Sequence, residues 1–433
     1  MKFPGRRKHK HYFPVQNKLT GIPQKPKRGM SQSYVVGIDQ TLVDIEAKVS
    51  DEFMAKYELK RGMSQVTSDE VTERLYDELK ANDLVNYEFA GGTIANTLHN
   101  YSVLADDRSV LLGVMSENIK IGSYSYKFLS NTSSRVDLNY LQPVDGPIGR
   151  CFTLIDSSGE RTFAISPGKI NYLQPDFINE NLIKNASALV ISAYLMRTQT
   201  GETMTEAALK AVEIANQNGV PVVLTLGTKF LIEQDPKWWQ EFTQKHVDIL
   251  TMNEEEAEAI TGISDPLSAA NKALDWVDMV MCTAGPEGLF MAGHVDEVHL
   301  RETEREYLDG SIAEFNRFEY SRPMRLRDCE KPVRVFTHIQ PYMGGPDKIK
   351  NTNGAGDGAL AALLHDICAN EYHKINVEQS SKHEQPALTY SSFSQISKYA
   401  NRVSFEVLAQ HAPRLSRGLP EREEGLDHAY WAQ

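Results

Sequence analysis

Asn351-Thr352-Asn353-Gly354-Ala355-Gly356-Asp357-Gly358 runs without interruption into Ala359-Leu360-Ala361-Ala362-Leu363-Leu364. A glycine-rich turn that opens an apolar helix aims several backbone N–H groups, and the positive end of the helix dipole, at one point in space. That arrangement is an anion hole. Asp357 is electrostatically out of place inside it, because a carboxylate competes with the anion that the turn attracts. A general base taking the proton of an attacking hydroxyl, beside a phosphoryl group held by the amides, would account for it. Taken alone, the stretch reads equally well as a tight turn with Asp357 capping a helix.

The surrounding chain alternates strands and helices. Short apolar runs at 34–38, 109–115, 188–192, 220–226, 247–252 and 277–283 read as buried strands, with helices in most of the gaps. This predicts an α/β fold, a doubly wound and mainly parallel sheet with helices on both faces. A second texture differs. Residues 42–49 alternate as a strand with one wet face, and 149–156 and 160–166 alternate on either side of Ser157-Ser158-Gly159, which predicts a β-hairpin. Strands within about 39–50 and 135–166 would form a small β-sheet lid over one end of the main sheet. Thr67-Ser68-Asp69-Glu70 has the spacing of a capping box, and Val71, Leu75 and Leu79 then recur every fourth residue, predicting a helix. The charged, weakly patterned stretches 294–331 and 369–387 read as insertions on the outside of the fold.

Three further motifs sit at predicted strand ends. Gly91-Gly92-Thr93-Ile94-Ala95-Asn96 is a second glycine turn opening a helix, with Asn96 placed to hold a vicinal diol. Asn253-Glu254-Glu255-Glu256 follows the strand at 247–252, where a carboxylate can organise water bound to Mg²⁺ and Glu256 is expected to turn inward. Thr283-Ala284-Gly285-Pro286-Glu287-Gly288 ends another strand, and glycines there allow close backbone approach to a nucleotide.

Composition excludes several classes. The 433 residues carry a formal net charge of −12, with 41% hydrophobic and 24% charged residues, which excludes disordered and collagen-like chains. The negative balance argues against nucleic acid and anionic membrane as partners of the body. No apolar run nears the roughly 18 residues of a membrane span, and the basic N-terminus has no apolar stretch behind it, so a cytoplasmic protein is expected. Cys151, Cys282, Cys329 and Cys368 are too far apart for a CxxC site and read as unpaired thiols. Nine Lys and Arg, with no Asp or Glu, fall before residue 39. Residues 1–33, broken by prolines, therefore read as a basic extended arm, followed by one catalytic domain over 34–433. His9 and His11 read as solvated, and Trp238-Trp239 as packing on the sheet.

Taken in order from about Gly37 to Arg402, these motifs resemble the ribokinase-like (PfkB) family of sugar and nucleoside kinases. The resemblance implies Asp357 as catalytic base, with Gly354, Ala355 and Gly356 forming the anion hole. It implies Mg²⁺ held through water by Asn253 and Glu256, ATP beside Thr283, Gly285 and Gly288, and the doubly wound sheet with its β lid. A monovalent cation is a further implication, although Asn351 stands where most members carry Asp. Ser116 and Asn118 likewise replace a typical Gly and Asp. Gln40-Thr41-Leu42-Val43-Asp44-Ile45 resembles the stretch of nucleoside kinases whose Asp, here Asp44, binds ribose hydroxyls. Asp39, Gln40, Asp44, Gly91, Gly92, Thr93, Asn96 and Arg197 are thus the expected substrate-binding residues. A guanidinium at Arg197 offers only donors and suits O6 and N7 of a 6-oxopurine, while Asp39 could accept from N1–H, which inosine and guanosine have and adenosine lacks. The expected reaction is ATP-dependent phosphorylation of a purine ribonucleoside 5′-hydroxyl. Adenosine or sugar phosphorylation by the same fold, and a non-catalytic nucleotide sensor, are the alternatives. A homodimer through an exposed lid sheet is expected from the resemblance.

Overall fold

In the computed structural model, residues 33–105, 107–303 and 316–419 are described. The predicted basic arm, with His9 and His11, lies outside these residues apart from Ser33. In chain order the strands are β1 (Tyr34–Ile38), β2 (Leu42–Lys48), β3 (Ser64–Val66), β4 (Val85–Ala90), β5 (Arg108–Ser116), β6 (Val136–Asp137), β7 (Leu141–Val144), β8 (Gly149–Ile155), β9 (Arg161–Ser166), β10 (Ala188–Ser192), β11 (Val222–Thr225), β12 (Ile249–Asn253), β13 (Met279–Thr283), β14 (Leu289–Asp296) and β15 (Pro332–Ile339). The helices are α1 (Asp51–Lys56), α2 (Asp69–Ala81), α3 (Thr93–Ala105), α4 (Tyr124–Ser130), α5 (Glu180–Lys184), α6 (Met204–Gln217), α7 (Lys229–Gln234), α8 (Pro236–His246), α9 (Glu254–Thr261), α10 (Pro266–Ala273), α11 (Ala355–Asn376) and α12 (Phe393–Leu408).

The main sheet has the order β15-β14-β13-β12-β11-β10-β1-β5-β6, with β7 also on β5. From β13 through β10 and β1 to β5 every pairing is parallel, and β14 and β15 are added antiparallel at one edge. Alternation along β1 shows why two layers of helices are needed. Val35 enters one apolar core and Val36 and Ile38 the other, so each face must be covered. At Gly37 a methyl group would collide with Ile94 on α3, so the missing side chain lets α3 lie directly on the sheet.

The second sheet has the order β3-β9-β8-β2-β4. The predicted hairpin is β8 and β9, paired antiparallel from Arg150–Ser166 to Ile155–Arg161. Residues 136–144, expected in this sheet, instead add β6 and β7 to the main sheet beside β5. Helices α2 and α4 pack on the small sheet. Arg150, fully buried on β8, pairs with Asp69 and Glu73 of α2, and the Tyr76 ring meets Phe152 edge-on at 6.1 Å. On α4, Lys127 pairs with Glu88 of β4.

Helix α2 begins one residue later than the capping-box spacing implies. Ser68 is its N-cap and accepts from the Val71 amide, while the Thr67 hydroxyl meets Thr72 at 2.8 Å. The expected insertions also need new bounds. Residues 294–296 finish β14, where the His294 ring bonds the Asp278 carbonyl and Asp296 accepts the Lys331 amide. Residues 369–376 continue α11. Among the described residues the two stretches are joined at Arg322. Arg322 is buried and donates to the carbonyls of Lys382 and Thr389 and to Asn370 Oδ1, a donor-only group set among acceptors. Trp239 is buried in the core with its indole N–H on the Leu231 carbonyl, whereas Trp238, expected to pack on the sheet as well, is exposed and stacks on Phe242 of its own helix.

Candidate active site

Asp39, the residue after β1, is 2% exposed. Its Oδ2 accepts the Ala95 amide at 2.7 Å and its Oδ1 accepts the Gln40 amide at 2.9 Å. Ala95 lies in the first turn of α3, so Asp39 caps that helix from a neighbouring strand. Each oxygen thus already accepts one backbone amide, so the carboxylate that was expected to meet a purine N1–H is also tied to the start of α3. Burial pushes its carboxyl up to about 7 against the pull of these amides.

Gly91 and Gly92 bring the start of α3 against both carboxylates. A side chain on Gly91 would collide with Asp44 Oδ2, and one on Gly92, where φ is +93°, would sit 2.5 Å from Asp39 Oδ2. The pair is glycine because two acidic side chains occupy the space. Thr93 opens α3. Asp44, on β2, remains partly exposed in the recess so formed, and burial raises its carboxyl to about 6.

Gly354 caps α11 with φ at +83°. The first intrahelical bond is Gly358 N–H to the Gly354 carbonyl, leaving the 355–357 amides at the open end of the helix. Gly356 has nothing within 4 Å of where a Cβ would lie, so the turn is open on that side. Asp357 Oδ2 accepts from Asn96 Nδ2 at 3.1 Å, joining the two glycine turns across 261 positions.

A residue that no sequence motif singles out completes this centre. After α12 the chain runs as a strap over the starts of α3 and α11. A Cβ on Gly354 would lie 2.6 Å from Pro413 Cβ, Asn351 Nδ2 donates to the His411 carbonyl at 2.7 Å, and the His411 ring stacks on Tyr87 of the small sheet at 4.7 Å. An aspartate at 351 could not make that donation, which gives Asn351 a structural reason. The strap carries Arg414, 6% exposed. Its Nε donates to Asn96 Oδ1 at 2.8 Å, one Nη to the Gly91 carbonyl at 3.0 Å, and the other to Thr132 Oγ1 at 2.8 Å. Burial pulls the guanidinium down to about 10, while Asp44, Asp39 and Asp357 hold it up. For Asp357 the same balance runs the other way. Burial lifts its carboxyl to about 7, Asp39 and Asp44 add to the rise, and Asn96 and Arg414 oppose it. Three carboxylates and one cation thus share a single recess, a clustering of perturbed groups typical of reactive centres. No local pattern marks Arg414; it is one cation among the apolar residues of Ala412-Pro413-Arg414-Leu415.

The other motifs lie at the carboxyl ends of β12 and β13, which pair Asn253 with Thr283. Asn253 and Glu256 form a reciprocal capping box on α9: Asn253 Oδ1 accepts the Glu256 amide at 2.8 Å, and Glu256 accepts from Asn253 N and Nδ2 at 3.0 and 3.1 Å. Glu256 is buried as expected and Glu255 exposed. Burial raises the Glu256 carboxyl to about 7. Among the described residues no three His, Cys, Asp or Glu converge to hold a metal directly. With its oxygens turned to Asn253, Glu256 fits a hard cation held through water rather than by direct ligation. In the next loop, Gly285 is open, with only Glu254 Oε1 at 3.7 Å from where a Cβ would lie, whereas a Cβ on Gly288 would collide with the Ile339 carbonyl. Gly288 is therefore glycine for backbone packing.

A family description, pfkB family carbohydrate kinase, matches residues 65–309. The chain belongs to the PfkB family. Relatives of this PfkB member include the guanosine-inosine kinase of Escherichia coli K12, 64% identical over 432 residues covering 100% of both chains. Adenosine kinase 2 of Arabidopsis thaliana is 24% identical over 53% of this chain and 65% of its own. Among solved structures, adenosine kinase from Sinorhizobium meliloti superposes with a TM-score of 0.62 at 20% identity, covering 90% of this chain and 98% of that one. A probable sugar kinase from Rhizobium etli gives 0.63 at 17%, over 90% and 97%. These last two likenesses show the ribokinase-like fold expected from the sequence.

In this PfkB chain the expected substrate residues divide into two groups. Asp39, Asp44, Gly91, Gly92 and Asn96, with Gln40 and Thr93 adjoining them in the chain, gather with the expected base Asp357 about Arg414. Arg197 lies beyond β10, at the end of the short 3₁₀ turn Ala193–Met196, with its side chain exposed. Among the described residues no helix is long and apolar enough to cross a membrane.

Proposed function

We propose that this enzyme moves the γ-phosphoryl group of ATP to the 5′-hydroxyl of a purine ribonucleoside, with inosine and guanosine as its substrates. The observation that carries the reading is Asp357 in the first turn of α11, held by Asn96 next to the partly exposed Asp44. A nucleoside whose ribose diol meets Asp44 and the Gly91-Gly92 backbone would place its 5′-hydroxyl towards Asp357. Asp357 accepts the hydroxyl proton, and the open amides at 355–357 stabilise charge on the group in transfer. The likeness to the Escherichia coli guanosine-inosine kinase supports the choice of nucleoside.

ATP is assigned to the loop Thr283–Gly288, with Gly285 as the point of backbone approach. Mg²⁺ is assigned to Asn253 and Glu256 through water, where it would neutralise phosphate charge. A monovalent cation is not part of this proposal, since the Asn351 amide is committed to His411 and Asn353. Nor is a homodimer. Arg197 is retained as a donor towards the base. We assign a cytoplasmic setting, in keeping with four free cysteines.

The test is ATP consumption with Mg²⁺ against a panel of inosine, guanosine, adenosine, ribose and fructose. Turnover of inosine and guanosine above the rest supports the reading. Preferred turnover of adenosine or a sugar replaces it with that activity, and binding of nucleotide without turnover points to a sensor.

A further inference from the structure

Gln40 follows Asp39 beyond the carboxyl end of β1. Its carbonyl would lie 3.0 Å from a side chain on Gly92, so it borders the recess that contains Asp44. The half-buried Gln40 side chain donates from Nε2 to Asn171 Oδ1 at 2.5 Å. Asn171 is buried, and its Nδ2 donates onward to Glu202 Oε2 at 3.0 Å. The same Glu202 oxygen accepts the Gln199 amide at 2.7 Å, and the Asn171 carbonyl accepts the amides of Thr203 and Met204 at 3.0 and 2.9 Å. Three side chains from three separate loops thus form one directed chain of hydrogen bonds.

The direction follows from the chemistry at its far end. A carboxamide can present either its oxygen or its NH₂ to a partner, but an ionised carboxylate only accepts. Glu202 obliges Asn171 to turn its NH₂ outward, which turns the Asn171 oxygen to Gln40. Gln40 must then give its own NH₂ to Asn171. A flipped Gln40 would set two carbonyl oxygens against each other with no proton between them, leaving both short of a donor.

We propose that the Glu202–Asn171–Gln40 relay selects the base, by holding the Gln40 oxygen as a fixed acceptor for the proton on N1 of a 6-oxopurine. This deepens the nucleoside-kinase reading and rests on it. Inosine and guanosine carry a hydrogen at N1, whereas adenosine presents a lone pair there and repels a carbonyl oxygen held opposite. An unrestrained glutamine would serve either base by rotating half a turn. The relay removes that freedom, so rejection of adenosine comes from an acceptor that cannot turn away. Asp39 is turned instead into the start of α3, 2% exposed and with each oxygen accepting a backbone amide. Gln40 touches the base, and Asn171 and Glu202 act through it as positioning residues.

The test compares kcat/KM for inosine, guanosine and adenosine in the full chain, Glu202→Gln and Gln40→Met. Glutamine at 202 can donate as well as accept, so it frees Asn171 and Gln40 to flip. Its inosine-to-adenosine ratio is expected to fall on the order of tenfold or more, through a higher KM for inosine and a lower one for adenosine. Gln40→Met keeps the side-chain volume without the acceptor and is expected to lose the same preference, which preserves the test if the Glu202 variant does not fold. An unchanged ratio, or an equal loss for all three nucleosides, overturns the relay and leaves the nucleoside-kinase reading standing. A wild-type chain that phosphorylates neither inosine nor guanosine removes both.

Discussion

The Nε of Arg414 donates to Asn96 Oδ1 at 2.8 Å across 318 positions of sequence. Through the other end of the same amide, Asn96 reaches Asp357. An accept-and-donate amide therefore couples a buried cation to the proposed base, fixing the carboxylate's orientation while the cation's charge favours its ionised form.

That coupling predicts the pH dependence. The base must be ionised, and burial has lifted Asp357 to about 7, so kcat/KM should fall as pH drops through that value. Arg414 opposes the rise. Arg414→Met should therefore move the acid limb to higher pH, while Arg414→Lys keeps the charge and leaves the limb near its original position with reduced turnover. A limb that does not move in Arg414→Met separates the two residues.

Replacing the base is the more direct check. Asp357→Asn retains the hydrogen-bonding shape but accepts no proton, and turnover should fall on the order of 10²–10⁴ fold. Calorimetric binding of nucleoside should persist. Wild-type turnover in this variant would falsify the assignment of the base.

Gly354 joins the anion hole to the strap. Gly354→Ala imposes a side chain at φ +83° and 2.6 Å from Pro413 Cβ, so the strap must move and Arg414 with it. A loss of about 1–3 kcal/mol of stability is expected, with turnover falling further than stability explains. Gly356→Ala, at an open position, should melt within a few degrees of wild type; denaturation of the two variants side by side decides.

Glu256 can be divided into its two roles. Glu256→Gln keeps the reciprocal cap, since glutamine also accepts from the Asn253 amide, so stability should hold within about 1 kcal/mol. The charge is lost, and the Mg²⁺ concentration for half-maximal activity should rise. Glu256→Ala should lose both, with about 1 kcal/mol from the cap. Titrations of activity with Mg²⁺ after removal of metal by a chelator, paired with melting curves, distinguish the two effects.

Stability also depends on these carboxylates. A carboxyl raised to about 7 in the folded state binds its proton more tightly than in the unfolded chain, so the folded state loses relative stability as pH rises from about 4 to about 7. Asp39→Asn, which removes one such charge but keeps an acceptor for one amide, should flatten that slope. Denaturant titrations across the window give the measurement.

Much of this was written locally. Period-two and apolar runs located β1, β10 and the β8–β9 hairpin, and glycine turns located the starts of α3 and α11, because backbone conformation and burial leave their mark on adjacent residues. Where charge was read as the mark of an outer stretch, residues 294–296 in fact complete β14, and Arg322 is buried among acceptors. A polar group buried among partners looks, in sequence, like one in water.

Local patterning sets the alternation that makes the doubly wound sheet and the order of motifs along the ends of its strands. That Asp39 caps α3, and that Asn96 spans from Arg414 to Asp357, emerges from long-range packing. The same holds for Asn171 and Glu202, which govern which way Gln40 faces. The physical reason is range. Helix and strand periods act over a few residues, whereas a hydrogen bond needs its partner within about 3 Å in space and places no constraint on how far apart the two lie along the chain.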